Sequence, residues 1–297
     1  NSDIHNLTSF VLLLSISANK IFTPKRNYFY RIQKVLLFFK NDICSCISND
    51  KIIKYFHQSK QMILFLYQNE MIDLFSPSII DNFFSRENID NIEFFYPEIK
   101  TKVLEGNDQE NFYTNIKKLL NLPFLSYLTK IDYDDFVEKR KQGFNEGYLA
   151  EIIRNDSIDQ FVQYKEKTDM NLSSSLPESL FEGNFILLRS HSSLIEYSAF
   201  YGSIQIFKYL FKNKAKITSK AWICAFCSQN LDIIHILEDD EDSKSFFNTC
   251  FKESITLHFN DIATYFYDNH LDGCMNDELF ENCLNSFNFQ FLKKCLI

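Results

Sequence analysis

The sequence predicts an all-α fold, on three observations. Glycine and proline number only 6 and 5 in 297 residues, too few for the turns of a sheet-rich chain of this length. Apolar residues make up 45%, enough to bury a sizeable core. Along most of the chain they recur at helical spacing. The expected organisation is a helical N-terminal domain over residues 1–142, then a junction hairpin and extended crossing segment over 143–192. About four repeated helical hairpins then fill 193–297.

The N-terminal helices follow from local pattern. "SFVLLLSISA" (9–18) is too short to span a membrane, and Asp3 rather than a basic residue precedes it, so a buried helix is expected and not a signal core. In "YRIQKVLLFFKND", Ile32, Val35, Leu36 and Phe39 form one helical stripe. "DKIIKYFHQSKQMILFLYQNEMIDLF" continues it through Ile52, Phe56, Ile63, Leu66 and Ile72. Ser76 is a candidate cap, with Pro77 in the first turn of "IIDNFF". "NFYTNIKKLL" (111–120) and "FLSYL" (124–128) are further helical runs.

The second half carries a period. Ile206, Phe207, Leu210 and Phe211 sit at i, i+1, i+4 and i+5. The pattern returns at Ile233, Ile234, Leu237 and Glu238, at Ile262, Ala263, Phe266 and Tyr267, and at Phe291, Leu292, Cys295 and Leu296, after 27, 29 and 29 residues. Eight residues before each block stands a small residue: Ser198, Ala225, Ser254 or Cys283. Three residues earlier stands a large apolar one: Ile195, Trp222, Phe251 or Phe280. Small residues let helices approach and large ones fill the space between layers. The register predicts helices near 194–201 and 204–212, 221–228 and 231–238, 250–257 and 260–268, and 279–286 and 288–296. Trp222, at a large inner place, should be buried. Gly202 suits a left-handed turn residue, and Asn230 and Asn288 tolerate that conformation in later units. Pro177, Gly183 and a serine cluster should keep 167–192 extended. Of Phe280, Leu284, Phe291 and Leu292 on the last hairpin, some must face the preceding unit, and the others are expected to leave an apolar face, to be met by further repeats or by an oligomer contact.

"SLIEYSAFYGSIQIFKYLFKNKAKI" (193–217) resembles the ankyrin repeat. Ser193, Ile195, Ser198, Ala199, Gly202, Ile206, Phe207, Leu210 and Ala215 stand where that consensus has Thr, Leu, Ala, Ala, Gly, Val, Val, Leu and Ala. Leu194, Glu196 and Lys214 depart from it, and the later copies lack the glycine. Over 152–210, "DSIDQFVQY", Leu172–Ser175 and Leu194–Ser203 resemble the junction region of divergent ankyrin-repeat proteins of parasitic protists, a large family carrying a domain of unknown function beside the repeats. The resemblance implies an ankyrin-like helical-hairpin solenoid that acts as a binding scaffold.

Charge and motifs narrow the function. The net charge is −8, with 18 Lys and Arg against 17 Asp and Glu in residues 1–142, and 13 against 22 in 143–297. An acidic chain is not a general nucleic-acid binder, so no nucleic-acid partner is expected. The basic, aromatic segment "KIFTPKRNYFYRIQK" (20–34) is expected to be a charged outer helix face. Eight cysteines in so long a chain form no disulfide framework, which suits a cytoplasmic protein with reduced thiols. "CAFC" (Cys224, Cys227), near His235, is read as packing because no second pair has ligand spacing, so neither metal nor cofactor is expected. With no nucleophile signature and no phosphate loop, no enzyme activity is expected. The candidate partner-binding residues are Glu238, Asp239, Asp240, Glu241 and Asp242, expected as a solvated acidic loop that could recruit a basic protein segment. The function these features favour is a protein-interaction scaffold or adaptor, the partner's identity open. The alternative is a structural spacer in a larger assembly.

Overall fold

The protein, described from a computed structural model, is all-α. The structure describes residues 2–20, 28–105, 131–188, 191–270 and 277–295. Among them there is no strand, only an isolated antiparallel bridge between Ser175 and Ser193. None of the described helices is long and apolar enough to cross a membrane. The runs "NFYTNIKKLL" and "FLSYL", and residues 21–27 of the basic segment, lie outside the described residues. The chain divides into two compact units. One holds residues 1–22, 26–146 and 178–188, and the other holds 23–25, 147–177 and 189–297.

The first unit contains α1 (Ser2–Lys20), α2 (Tyr28–Phe38), α3 (Lys40–Cys46), α4 (Asn49–Phe56), α5 (Lys60–Gln68), α6 (Ile89–Phe94), α7 (Tyr96–Glu105) and α8 (Tyr133–Gln142), with one-turn helices at Ile80–Phe83 and Phe185–Leu188. Ile32, Leu36, Ile52, Phe56, Ile63, Leu66 and Ile72 are buried in its core, and Val35 and Phe39 half-buried. The long apolar run is two helices, α4 and α5, because the Ser59 hydroxyl accepts the amide of Met62 (3.3 Å) and starts a new helix. Ser76 does not cap through its side chain. Its carbonyl receives the amides of Ile79 and Ile80, while its hydroxyl donates to Asp73 O (3.2 Å).

Arg140 ties α8 to α6 and α7. Its guanidinium is buried, donates to Phe94 O (3.0 Å), and forms a fork with the Glu98 carboxylate at 2.6 and 2.8 Å. The rings of Phe94 and Phe136 lie 5.5 and 5.9 Å from it. The buried charge is thus met by a carboxylate, a carbonyl and two aromatic rings.

The second unit holds five described hairpins: α9 (Tyr148–Arg154) with α10 (Ile158–Thr168), α11 (Leu194–Tyr201) with α12 (Ile204–Lys212), α13 (Ser219–Ser228) with α14 (Leu231–Asp239), α15 (Phe247–Thr256) with α16 (Asn260–His270), and α17 (Asp277–Asn285) with α18 (Phe289–Cys295). The last eight helices begin and end within three residues of the expected spans. First helices pack in chain order, α9 on α11, α11 on α13, α13 on α15 and α15 on α17. Ser198, Ala225, Ser254 and Cys283 are completely buried there. The hydroxyls of Ser198 and Ser254 are satisfied within their own helices, donating to Ile195 O (2.9 Å) and Phe251 O (2.7 Å), so burial leaves no orphan donor.

The turns repeat too, though not as expected. Between the two helices of each hairpin the left-handed residues are Asp156 (φ 49°), Gly202 (φ 73°), Gln229 (φ 56°), His258 (φ 59°) and Phe287 (φ 56°), the last four spaced by 27, 29 and 29 residues; Asp169 and Lys214 are left-handed after α10 and α12. Asn230 and Asn288, one residue later, are not left-handed; their side chains cap the next helix and reach back one hairpin. Asn230 Nδ2 donates to Gly202 O (3.0 Å), and Asn288 Nδ2 to Ile255 O (2.9 Å). The Asp156 carboxylate likewise accepts the amides of Gln205 (3.0 Å) and Ile206 (3.0 Å) at the start of α12. His258 Nε2 donates to Ser286 O (2.8 Å), and Lys294 pairs with Asp268 (2.9 Å). Of the four apolar residues of the last hairpin, Phe291 and Leu292 are the buried pair, Phe291 lying 5.8 Å from Phe251 of the preceding hairpin. Phe280 and Leu284 are exposed, as expected.

Trp222 is fully buried, with Phe226, Phe247 and Phe266 at ring distances of 5.7, 5.3 and 6.0 Å. Trp222→Ala should therefore cost about 3–5 kcal/mol, measured by denaturant unfolding. A near-native midpoint would contradict this packing. Arg140→Ala strands the Glu98 carboxylate and should cost about 3–5 kcal/mol in the same assay, more than Arg140 and Glu98 replaced together by apolar residues.

Candidate functional site

The acidic segment Glu238–Asp242 is not a loop. Glu238 and Asp239 end α14, and a one-turn helix, Glu241–Lys244, follows Asp240 directly. Its five carboxylates are put to different uses. Glu238 turns inward: it accepts the hydroxyl proton of Tyr265 on α16 and lies 3.0 Å from His235 Nδ1. Asp240 is half-buried, and Glu241 pairs with Lys244 at 2.6 Å. Asp239, Glu241 and Asp242 are exposed. The acidic surface is thus narrower than the sequence implies, three carboxylates on one helix-to-helix corner. Sequence could not separate Glu238 from its neighbours, because its partner Tyr265 is 27 residues away.

The "CAFC" cysteines lie on the inner face of α13, both buried. Burial, with Cys227 and Glu196 nearby, pushes the Cys224 thiol well above its usual range. Burial, with Glu253 nearby, also pushes Cys250 up to about 12, and its thiol donates to Ser219 O (3.8 Å), a bond that only the protonated form makes. These are protonated packing groups, poor nucleophiles and poor ligands. His235 is exposed and engaged with Glu238, on the other helix of the hairpin. Among the described residues no group of three or more His, Cys, Asp or Glu is placed to hold a metal ion.

Two polar features escaped the sequence reading. Glu196, buried on α11, closes a capping box with Ser193 and also accepts from Thr218 Oγ1 (2.6 Å), with Lys220 3.8 Å away. It fastens the start of α13 to α11 and presents nothing to solvent. The "S-x-x-E" spacing at 193–196 was its visible signal. In the first unit, a cleft of about 780 Å³ is lined by Asp50, Lys54, His57, Lys60, Asn82 and Asp90, among others. Lys60 is half-buried, 3.4 Å from Asp90, and desolvation lowers its pKa in spite of that carboxylate. Acids and bases both line this opening, so it selects neither an anion nor a cation.

Comparison with family models, curated proteins and solved structures finds no match for the chain.

Thiol chemistry distinguishes packing cysteines from accessible ones. In native protein an alkylating reagent at mildly alkaline pH should modify exposed Cys46, and Cys224 and Cys250 only after unfolding, as read by peptide mass spectrometry. Folding raises the Cys250 pKa, so its contribution to stability is complete below the unfolded thiol value. It is lost as pH climbs toward about 12. Rapid labelling of Cys224 in the folded protein would contradict the burial.

Proposed function

We propose that the chain is a protein-binding adaptor whose second unit is a divergent ankyrin-like solenoid. The observation that carries this reading is the coincidence of two periods. The left-handed turn residues Gly202, Gln229, His258 and Phe287 are spaced by 27, 29 and 29 residues. Among the polar ties between hairpins, Asn230 to Gly202, Tyr265 to Glu238, His258 to Ser286 and Lys294 to Asp268 span 26 to 28, and Asn288 to Ile255 spans 33. A chain whose geometry and cross-links share one period is made of like units joined to their neighbours, and such proteins present extended surfaces to partners. The same register supports the resemblance to the protist ankyrin family seen at 152–210.

On this reading the exposed carboxylates Asp239, Glu241 and Asp242 steer a basic segment of the partner, and Glu238 stays with Tyr265 to hold the corner in place. The test compares captured proteins for the full chain and a variant with Asp239, Glu241 and Asp242 changed to Lys. A specific partner should be retained by the first, with affinity falling as salt rises, and weakened by roughly tenfold or more in the second, with a flatter salt dependence. Equal capture by both would remove the acidic corner from the proposal, and no protein enriched by either would remove the adaptor reading itself.

A further inference from the structure

The charge of the second unit changes sign within one hairpin of the acidic corner. Residues 197–231 hold five lysines and no Asp or Glu, inside a half of the chain with 22 acids against 13 bases. One of the five, Lys220, is spent on Glu196 and Ser192. The other four, Lys208, Lys212, Lys214 and Lys216, are exposed, and their ammonium groups have no ion pair among the described residues. Lys208 and Lys212 lie one turn apart on α12 and are its only charged groups. Lys214 and Lys216 follow where the chain leaves that helix.

The fold sets this basic corner beside the acidic one. α12 and α14 each have nine residues and pack on each other. Their starts are tied by the bond from Asn230 Nδ2 to Gly202 O (3.0 Å). Equal helices fastened at their starts finish side by side, so Lys212, the last residue of α12, neighbours Asp239, the last residue of α14. Past those ends come Lys214 and Lys216 on one corner and Glu241 and Asp242 on the other, all exposed. The two corners do not neutralise each other: among the described residues no ion pair joins them, and Glu241 pairs with Lys244 of its own turn. A polyanion held by the lysines would meet Asp239 and Asp242, and a polycation held by the acids would meet Lys212 and Lys214. A ligand of one sign is therefore turned away by half of this surface. Packed helices lie about 10 Å apart, a distance that an extended chain covers in about three residues.

We propose that the ends of α12 and α14 together bind an extended partner segment of mixed sign, its acidic group facing Lys208, Lys212 and Lys214 and its basic group, about three residues away along the segment, facing Asp239, Glu241 and Asp242. This rests on the adaptor reading and names the chemistry of that partner. Fluorescence anisotropy with the full chain tests it, using two labelled peptides of one composition. In one, a block of glutamates and a block of lysines are joined by a short Gly-Ser spacer; in the other, the two residue types alternate. The block peptide should bind roughly tenfold more tightly, by a margin that shrinks as salt rises. Lys212→Glu combined with Lys214→Glu makes both corners acidic. It should abolish that preference and raise the affinity for an all-lysine peptide, with circular dichroism unchanged because both side chains are exposed. Adding Asp239→Lys and Glu241→Lys reverses both corners and should return the block peptide's advantage, with the peptide lying the other way round. Equal binding of the two peptides to the unaltered chain overturns the proposal. So does a preference that survives the two lysine reversals. Self-association of the chain that those reversals abolish also overturns it, since the corners then serve a second copy. A protein captured by the chain as above but indifferent to the lysine reversals overturns this inference and leaves the adaptor reading standing.

Discussion

A pair of antiparallel helices can hide the seam between them but not the two broad faces outside it, and this constraint governs the second unit. The last four hairpins there each have a completely buried small residue on the first helix, Ser198, Ala225, Ser254 or Cys283, and the large side chains Ile195, Trp222 and Phe251 are buried where a gap must be filled. The small residues set how near two helices come; the large ones set what that nearness encloses. Remove either and the face returns to water, at a cost of about 25 cal/mol for each Å² of apolar surface. The turns, the caps and the polar ties are all arranged so that neighbouring hairpins meet in the same register.

Polar groups follow the same logic. Glu98 and Glu196, two carboxylates largely removed from water, are paired and hydrogen-bonded, and both join one helix to another. Glu238, first in a run of acids, is drawn inward by a tyrosine on the following hairpin. Cys224 and Cys250 are held protonated by desolvation. In each case burial turns a residue of reactive type into a structural one, and the groups left for recognition are those at the corners and on the outward faces.

Much of this was legible in the sequence, and the reasons differ by element. Helices of the second half could be placed because apolar spacing and a 27–29-residue period agreed, two independent signals in one register. In the first half there was no period to check the pattern, so the break at Ser59 was missed: a single hydroxyl accepting a single amide decides it. The turns misled because glycine and asparagine were taken as the marks of left-handed backbone. Here Gln229, His258 and Phe287 adopt it, while the neighbouring asparagines spend their side chains on the previous hairpin. Of the five acids picked out, three are solvent-facing, and only a contact 27 residues away tells Glu238 from the others.

The ties between hairpins have a mechanical meaning. Asn230, Asn288, His258 and Lys294 each fasten one hairpin to its neighbour, so load applied along the chain is carried from one tie to the next. When a hairpin at the edge gives way, the one beneath it loses its cover on that side and keeps its bonds on the other. Extension then proceeds in discrete steps, each releasing a stretch of chain roughly 90–100 Å long when pulled straight. The second unit would thus behave less as a rigid block than as a ratchet of like-sized links, shedding tension one hairpin at a time.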